Sequence, residues 1–229
     1  MLKLKKKDLL ANKLISDVIP AISSSENGQK VLNSMDIYRV SHLPVIEGSI
    51  YLGLVSDKLI YDFNLLNEPI ANEKDKFLTA HVHELQHIFE VAVVMYKLKL
   101  SVIAVVNKEH EFIGAITLFD LARRFARFFS LQEVGGVIVL EVNVNDYSLA
   151  QISRIVEEND TKILSFFLNN KTGTNLLELI LKLDKEDLSP VIRALERFDY
   201  NVKGVYLDDS ILNDLYQDRY DQFMRYMDL

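Results

Sequence analysis

The chain has 229 residues, of which 49% are hydrophobic and 26% charged, enough apolar content for one or two buried cores. A net charge of −7 and a pI of about 5.3 argue against a broad nucleic-acid-binding face, which needs cations to replace phosphate counterions. Cysteine is absent, which excludes disulfides, thiolate nucleophiles and cysteine metal sites, and no apolar run is long enough to predict a membrane span.

The basic start, Met1 to Lys7, has the charge of a signal peptide's first region. Asn12, Lys13, Ser16 and Asp17 interrupt the apolar run that should follow, so a solvated helix end and a cytoplasmic chain are expected.

The first half repeats itself with a period near 60. Val31-Leu-Asn-Ser-Met35 precedes Val91-Ala-Val-Val-Met95 by 60 residues, and Ser41-His-Leu-Pro-Val-Ile46 precedes Ser101-Val-Ile-Ala-Val-Val106 by the same interval. A one-residue insertion between Asn107 and Glu111 then shifts the offset to 61, so that Gly53-Leu-Val-Ser56 matches Gly114-Ala-Ile-Thr117. Each copy predicts a helix (Val31, Met35, Tyr38; Val91, Val94, Met95, Leu98) and a short strand (Leu43–Ile46; Ile103–Val106). A second strand (Tyr51–Val55; Phe112–Ile116) and a second helix from Asp57 or Leu118 complete the unit. Ser56 and Thr117 stand at the predicted N-caps.

Gly114-Ala-Ile-Thr-Leu-Phe-Asp120, the Leu43-Pro-Val-Ile46 strand and the repeat itself resemble a tandem CBS pair over about residues 14 to 130. The resemblance implies a non-catalytic regulatory or sensor module. Its clefts would take an adenosyl ligand such as AMP, ADP, ATP or S-adenosylmethionine, with no required cofactor. In that family the Asp accepts hydrogen bonds from the ribose hydroxyls, while the Thr or Ser lies near ribose and phosphate. A carboxylate in the first helical turn suits two hydroxyl donors, and backbone N–H groups at a helix start suit phosphate.

The copies differ at this motif. The second has Thr117 and Asp120; the first has Ser56 but Leu59 in place of the acid. One nucleoside site is therefore expected, on the Thr117/Asp120 side. Thr79, Ala80, Ile103 and Ala104 form its predicted wall, and Arg39 and His42 are candidates for phosphate contacts. The plainer alternative is that Thr117 caps a helix and Asp120 complements its dipole, in which case the module is a ligand-free dimerisation or interaction scaffold.

Past the apolar helix predicted from Asp120 to Ser130 (Leu121, Phe125, Phe128, Phe129), Gly135-Gly136 marks a break. The expected order is then a strand (Val137–Val144), a helix (Ser148–Glu158) and a strand (Lys162–Leu168). A turn-rich link (Asn169–Thr174) leads to a strand (Asn175–Leu183), a helix opened by Asp187-Leu-Ser-Pro190, and a last strand (Asn201–Leu207). In that helix Leu188, Val191, Ile192, Leu195 and Phe198 are expected to face inward. The βαββαβ order predicts a ferredoxin-like α+β domain.

That order is similar to an ACT domain, so the whole chain resembles CBS–ACT proteins of the acetoin-utilisation type. Asp146 keeps the acid of that family's ligand loop, but Asn145-Asp-Tyr-Ser-Leu149 lacks its Pro and Gly, which favours an assembly role and a homodimer. The expected boundaries are 1–131 for the CBS pair, 132–207 for the ACT-like domain and 208–229 for an acidic helix or tail.

The competing chemistry is a metal site at His81, His83 and His87, with Glu84 and Glu90 nearby. These residues align with Ala21, Ser23 and Asn27 of the first copy, at a strand-to-helix junction expected to face solvent. No Walker loop, Gly-x-Ser-x-Gly elbow or His-Glu-x-x-His is present, so no enzyme class is supported.

Overall fold

The computed structural model describes residues 9–207; the expectations for the basic start and the acidic tail lie outside them. Contacts divide the chain into two units that meet between Phe125 and Ala126.

In the first unit each copy of the repeat builds the same pieces. The first has β1 (Ile22–Ser23), α1 (Gly28–Tyr38), β2 (His42–Glu47), β3 (Ile50–Ser56) and α2 (Asp57–Asp62). The second has β4 (His81–His83), α3 (Ile88–Leu98), β5 (Val102–Val106), β6 (Phe112–Thr117) and α4 (Leu118–Phe128). Each copy folds a three-stranded sheet, β1-β2-β3 or β4-β5-β6, in which the leading strand pairs parallel and the next two form an antiparallel hairpin. Continuous apolar sequence makes β5 buried at every position, as a strand covered on both faces requires.

Helix ends follow the repeat closely. Asn27 caps α1 by accepting from the Lys30 amide, and its counterpart His87 caps α3. Both first helices end on a residue in the left-handed region, Arg39 (φ 53°) and Lys99 (φ 52°). Ser56 and Thr117 accept from Leu59 and Asp120 amides at the starts of α2 and α4. The inserted turn of the second copy is organised by Asn107, whose Oδ1 accepts from the Glu109 and Glu111 amides.

The two copies are joined by reciprocal strand contacts. Leu78, which leads into the second copy, exchanges backbone hydrogen bonds of 2.8 and 3.0 Å with Leu54 of β3. Ser16, which leads into the first, donates to Ala115 of β6 at 2.8 Å. The two motif glycines lie under these crossings. A Cβ on Gly53 would stand 2.7 Å from the Phe77 Cβ, and one on Gly114 would run into the Ile15 side chain. Glycine is required here because another segment passes over the strand.

The second unit contains β7 (Gly136–Asn143), α5 (Leu149–Glu157), β8 (Ile163–Asn170), β9 (Leu176–Leu183), α6 (Ser189–Arg197) and β10 (Asn201–Leu207). Its sheet order, β10-β7-β9-β8 with every pair antiparallel, is the ferredoxin-like order. Leu179, Leu181 and Leu183 point into the core with Ile138, Leu140, Ile152 and Val191, and Leu177 is buried nearer the start of β9. Ser148 caps α5 by accepting from the Gln151 amide.

Three expectations change. Asn169 and Asn170 belong to β8, because they pair with Glu178 and Leu177 of β9; the turn begins at Lys171. Phe198 is 46% exposed, with Arg197 over its ring, because α6 ends at Arg197 and the chain turns at Phe198. Phe129 lies beyond α4, where its ring meets Phe167 at 4.7 Å and its carbonyl accepts from the Ser165 hydroxyl.

Candidate functional site

A cleft of about 620 Å³ opens at the start of α4. Thr117, Leu118, Phe119, Asp120 and Arg123 form one side; Tyr38, Arg39 and Val40, at the end of α1, form another. Ser16, Val18 and Ile19 close it from the segment that crosses onto β6, and Ser101 completes the lining.

Thr117 is 8% exposed and has two bonds to one residue. Its Oγ1 accepts from the Asp120 amide at 2.9 Å and donates to Asp120 Oδ2 at 2.7 Å. The first bond is the helix cap. The second is a short bond to a carboxylate, which fixes the rotamer of the acid at the edge of the cleft. The same spacing in the first copy gives only a cap, since Leu59 packs against the apolar core of that copy.

The amides at the start of α4 are less open to an anion than the motif alone implies. Leu118 N–H donates to the Ser101 carbonyl at 2.9 Å, and Asp120 N–H is held by Thr117. Positive charge at the cleft comes instead from Arg39 and Arg123, both exposed. Arg123 lies one turn after Asp120, on the same side of α4.

Of the residues singled out from sequence, Thr117, Asp120 and Arg39 meet around this cleft. The other five lie elsewhere. Ile103 and Ala104 have no exposed surface, being the middle of β5 between β4 and β6. Thr79 and Ala80 follow Leu78 along β3, beside the first copy's motif, and the Ala80 carbonyl accepts from the Tyr51 hydroxyl at 2.7 Å. The reason is the crossing: each copy's leading segment serves the other copy, so the wall near Thr117 is Ser16, Val18 and Ile19. The repeat offset carried this signal, because Ile19 stands 60 residues before Thr79.

His42 is also outside the lining. Its Nδ1 lies 3.1 Å from both the Ser41 and Ser101 hydroxyls, two residues related by the repeat. Burial lowers its pKa against a weaker opposing pull from Asp57, so its ring favours the neutral form and is a poor phosphate partner.

The three histidines of the metal alternative part company. His87 is spent on a capping box, accepting from the Phe89 amide while Glu90 accepts from the His87 amide at 2.9 Å. His81 is joined instead by His83 and His110, with ring centroids 5.3 and 4.8 Å away, beside Tyr51. Among the described residues no three or more metal-ligating side chains converge.

A second cavity of about 910 Å³ lies between α3 and α4, lined mainly by apolar residues including Met95, Leu121 and Phe125. In the other unit, Asp146 is exposed, and Tyr147 packs against the core. Glu141 accepts from Lys171 and Lys203, each at 2.6 Å; these bonds lower its pKa.

Residues 77–127 match the family model of the CBS domain. The match falls on the copy that holds Thr117 and Asp120. Solved structures with lower likeness include a CBS domain pair/ACT domain protein from Thermotoga maritima. It is 20% identical over 52% of this chain and 98% of that one, with a TM-score of 0.47. Another is a CBS domain pair in complex with 5′-methylthioadenosine and S-adenosyl-L-methionine, 20% identical over 52% and 96%, with a TM-score of 0.44. A third, CBSX2 in complex with AMP, is 21% identical over 52% and 97%, with a TM-score of 0.41. No described helix is long and apolar enough to cross a membrane.

Proposed function

We propose that this protein is a non-catalytic regulatory sensor that binds one adenosyl ligand per chain in the Thr117/Asp120 cleft. The observation that supports this reading is the Thr117–Asp120 pair at the rim of a cleft, in the segment matched as a CBS domain. Ribose hydroxyls would donate to the Asp120 carboxylate, whose orientation Thr117 already fixes. The first copy offers Leu59 at the same position and so lacks a ribose acceptor there.

The βαββαβ unit is the ACT-like part of this reading, and a loop at Asn145 to Leu149 without Pro or Gly favours a part in assembly over ligand binding. The α3 stripe of Val93 and Tyr96, 48% and 84% exposed, beside the apolar cavity between α3 and α4, supports a homodimer.

Isothermal titration of the full chain with AMP, ATP, adenosine and S-adenosylmethionine tests the site. One equivalent is expected to bind, and Asp120→Ala is expected to remove binding while the fold, followed by circular dichroism, survives. Silence from every ligand at millimolar concentration would leave the scaffold as the better reading. Sedimentation of the same samples measures the dimer; a monomer at all concentrations removes the assembly role.

A further inference from the structure

We infer that the Thr117/Asp120 cleft selects a phosphorylated nucleotide over an uncharged nucleoside or a sulfonium nucleoside, and that Arg39 and Arg123 make the selection. The inference rests on the adenosyl reading above and adds the charge of the ligand to it.

Three observations carry it. Asp120 is the one acid in a lining that also holds Arg39 and Arg123, so this lining is cationic on a chain whose net charge is −7. If the ribose engages Asp120, the two arginines are left for the rest of the ligand. A positively charged sulfonium would meet like charge there, whereas phosphate oxygens suit the planar donor set of arginine.

Two of the first three amides of α4 are occupied. The Leu118 amide is bonded to Ser101 and the Asp120 amide to Thr117. That leaves the Phe119 amide of the three, so the positive charge that would meet a phosphate comes from the arginine side chains.

The backbone at Arg39 is the third observation. This residue holds φ 53° and ψ 48°, a left-handed conformation that favours glycine or asparagine at a helix end. Arginine occupies it, and the conformation turns the chain at the mouth of the cleft. A basic residue there also complements the α1 dipole, and Lys99 holds the same place on α3. Dipole complementarity alone would predict an effect on stability and none on ligand preference.

The experiment compares AMP, adenosine and S-adenosylmethionine on the full chain by titration calorimetry at low salt. AMP is expected to bind at least about tenfold tighter than adenosine, and S-adenosylmethionine no tighter than adenosine. Arg39→Gln with Arg123→Gln should close the AMP–adenosine gap, with AMP affinity falling several-fold more than that of adenosine. Raising the salt should narrow the same gap in the unaltered protein. Equal affinity for AMP and adenosine, or tighter binding of S-adenosylmethionine than of AMP, overturns the inference while the adenosyl site stands. Failure of all three to bind overturns both. Because both arginines are exposed, the single variants serve if the double variant is unstable; either one must reduce the gap.

Discussion

The two copies of the repeat share their backbone solutions and differ in what they offer a ligand. Asn27 and His87 cap equivalent helices, Arg39 and Lys99 end them in the same left-handed turn, and Gly53 and Gly114 admit equivalent crossings. At the next turn of the chain Ser56 is followed by Leu59, while Thr117 is followed by Asp120. The repeat thus keeps what the fold needs in both copies, and the carboxylate is present in one. A cap is needed wherever a helix starts; a ribose acceptor is needed only where a ribose sits.

The largest expected effect tests the shared part. Gly53→Ala should cost about 3 kcal/mol in urea unfolding, since the new methyl meets the Phe77 Cβ and the Leu78 carbonyl and backbone strain adds to the overlap. Gly48→Ala is the control: its φ of 63° is strained too, but nothing lies within 4 Å, so about 1 kcal/mol is expected. Equal losses would mean that the crossing segments do not hold the copies together.

A smaller effect separates the caps. Ser56→Ala and Thr117→Ala should each cost about 1 kcal/mol, because each removes the acceptor for one helix-start amide. Thr117→Ala alone should also weaken ligand binding in titration, since it frees the Asp120 carboxylate from its hydroxyl partner. Weaker binding in Ser56→Ala as well would break the asymmetry between the copies.

The smallest effect lies between the copies, at His42. Its folded pKa is below 6.5 through burial, so between 6.5 and the lowered value the unfolded chain binds more protons than the native one. This contribution to stability is present above pH 6.5 and is lost as pH falls through that window. Melting temperature should therefore decline on acidification from pH 7.5 towards 5.5, and His42→Asn should flatten the decline. The Glu141 carboxylate, lowered by Lys171 and Lys203, loses its contribution only below about pH 4.5, which keeps the two effects apart. An unchanged slope in His42→Asn would show that the ring titrates freely.

The repeat, the element order and two of the caps were legible because they depend on local chemistry: apolar spacing sets the face of a helix, and Ser56 and Thr117 satisfy amides three residues away. The ferredoxin-like order of β7 to β10 was legible for the same reason, since alternating leucines in β9 mark the covered face. Thr117 and Asp120 could be paired from spacing alone, because residues three apart on a helix start are neighbours. The wall of the cleft could not. Sequence assigned Thr79, Ala80, Ile103 and Ala104 to it, whereas Ser16, Val18, Ile19, Tyr38, Ser101 and Arg123 line it. That choice depends on which segment crosses onto which hairpin, a contact between residues about a hundred positions apart. His87 shows the same limit, for its role follows from the helix it starts rather than from the histidines near it in sequence. Local hydrogen bonding and apolar periodicity are written residue by residue; the exchange of strands between two similar copies is decided only when both are folded.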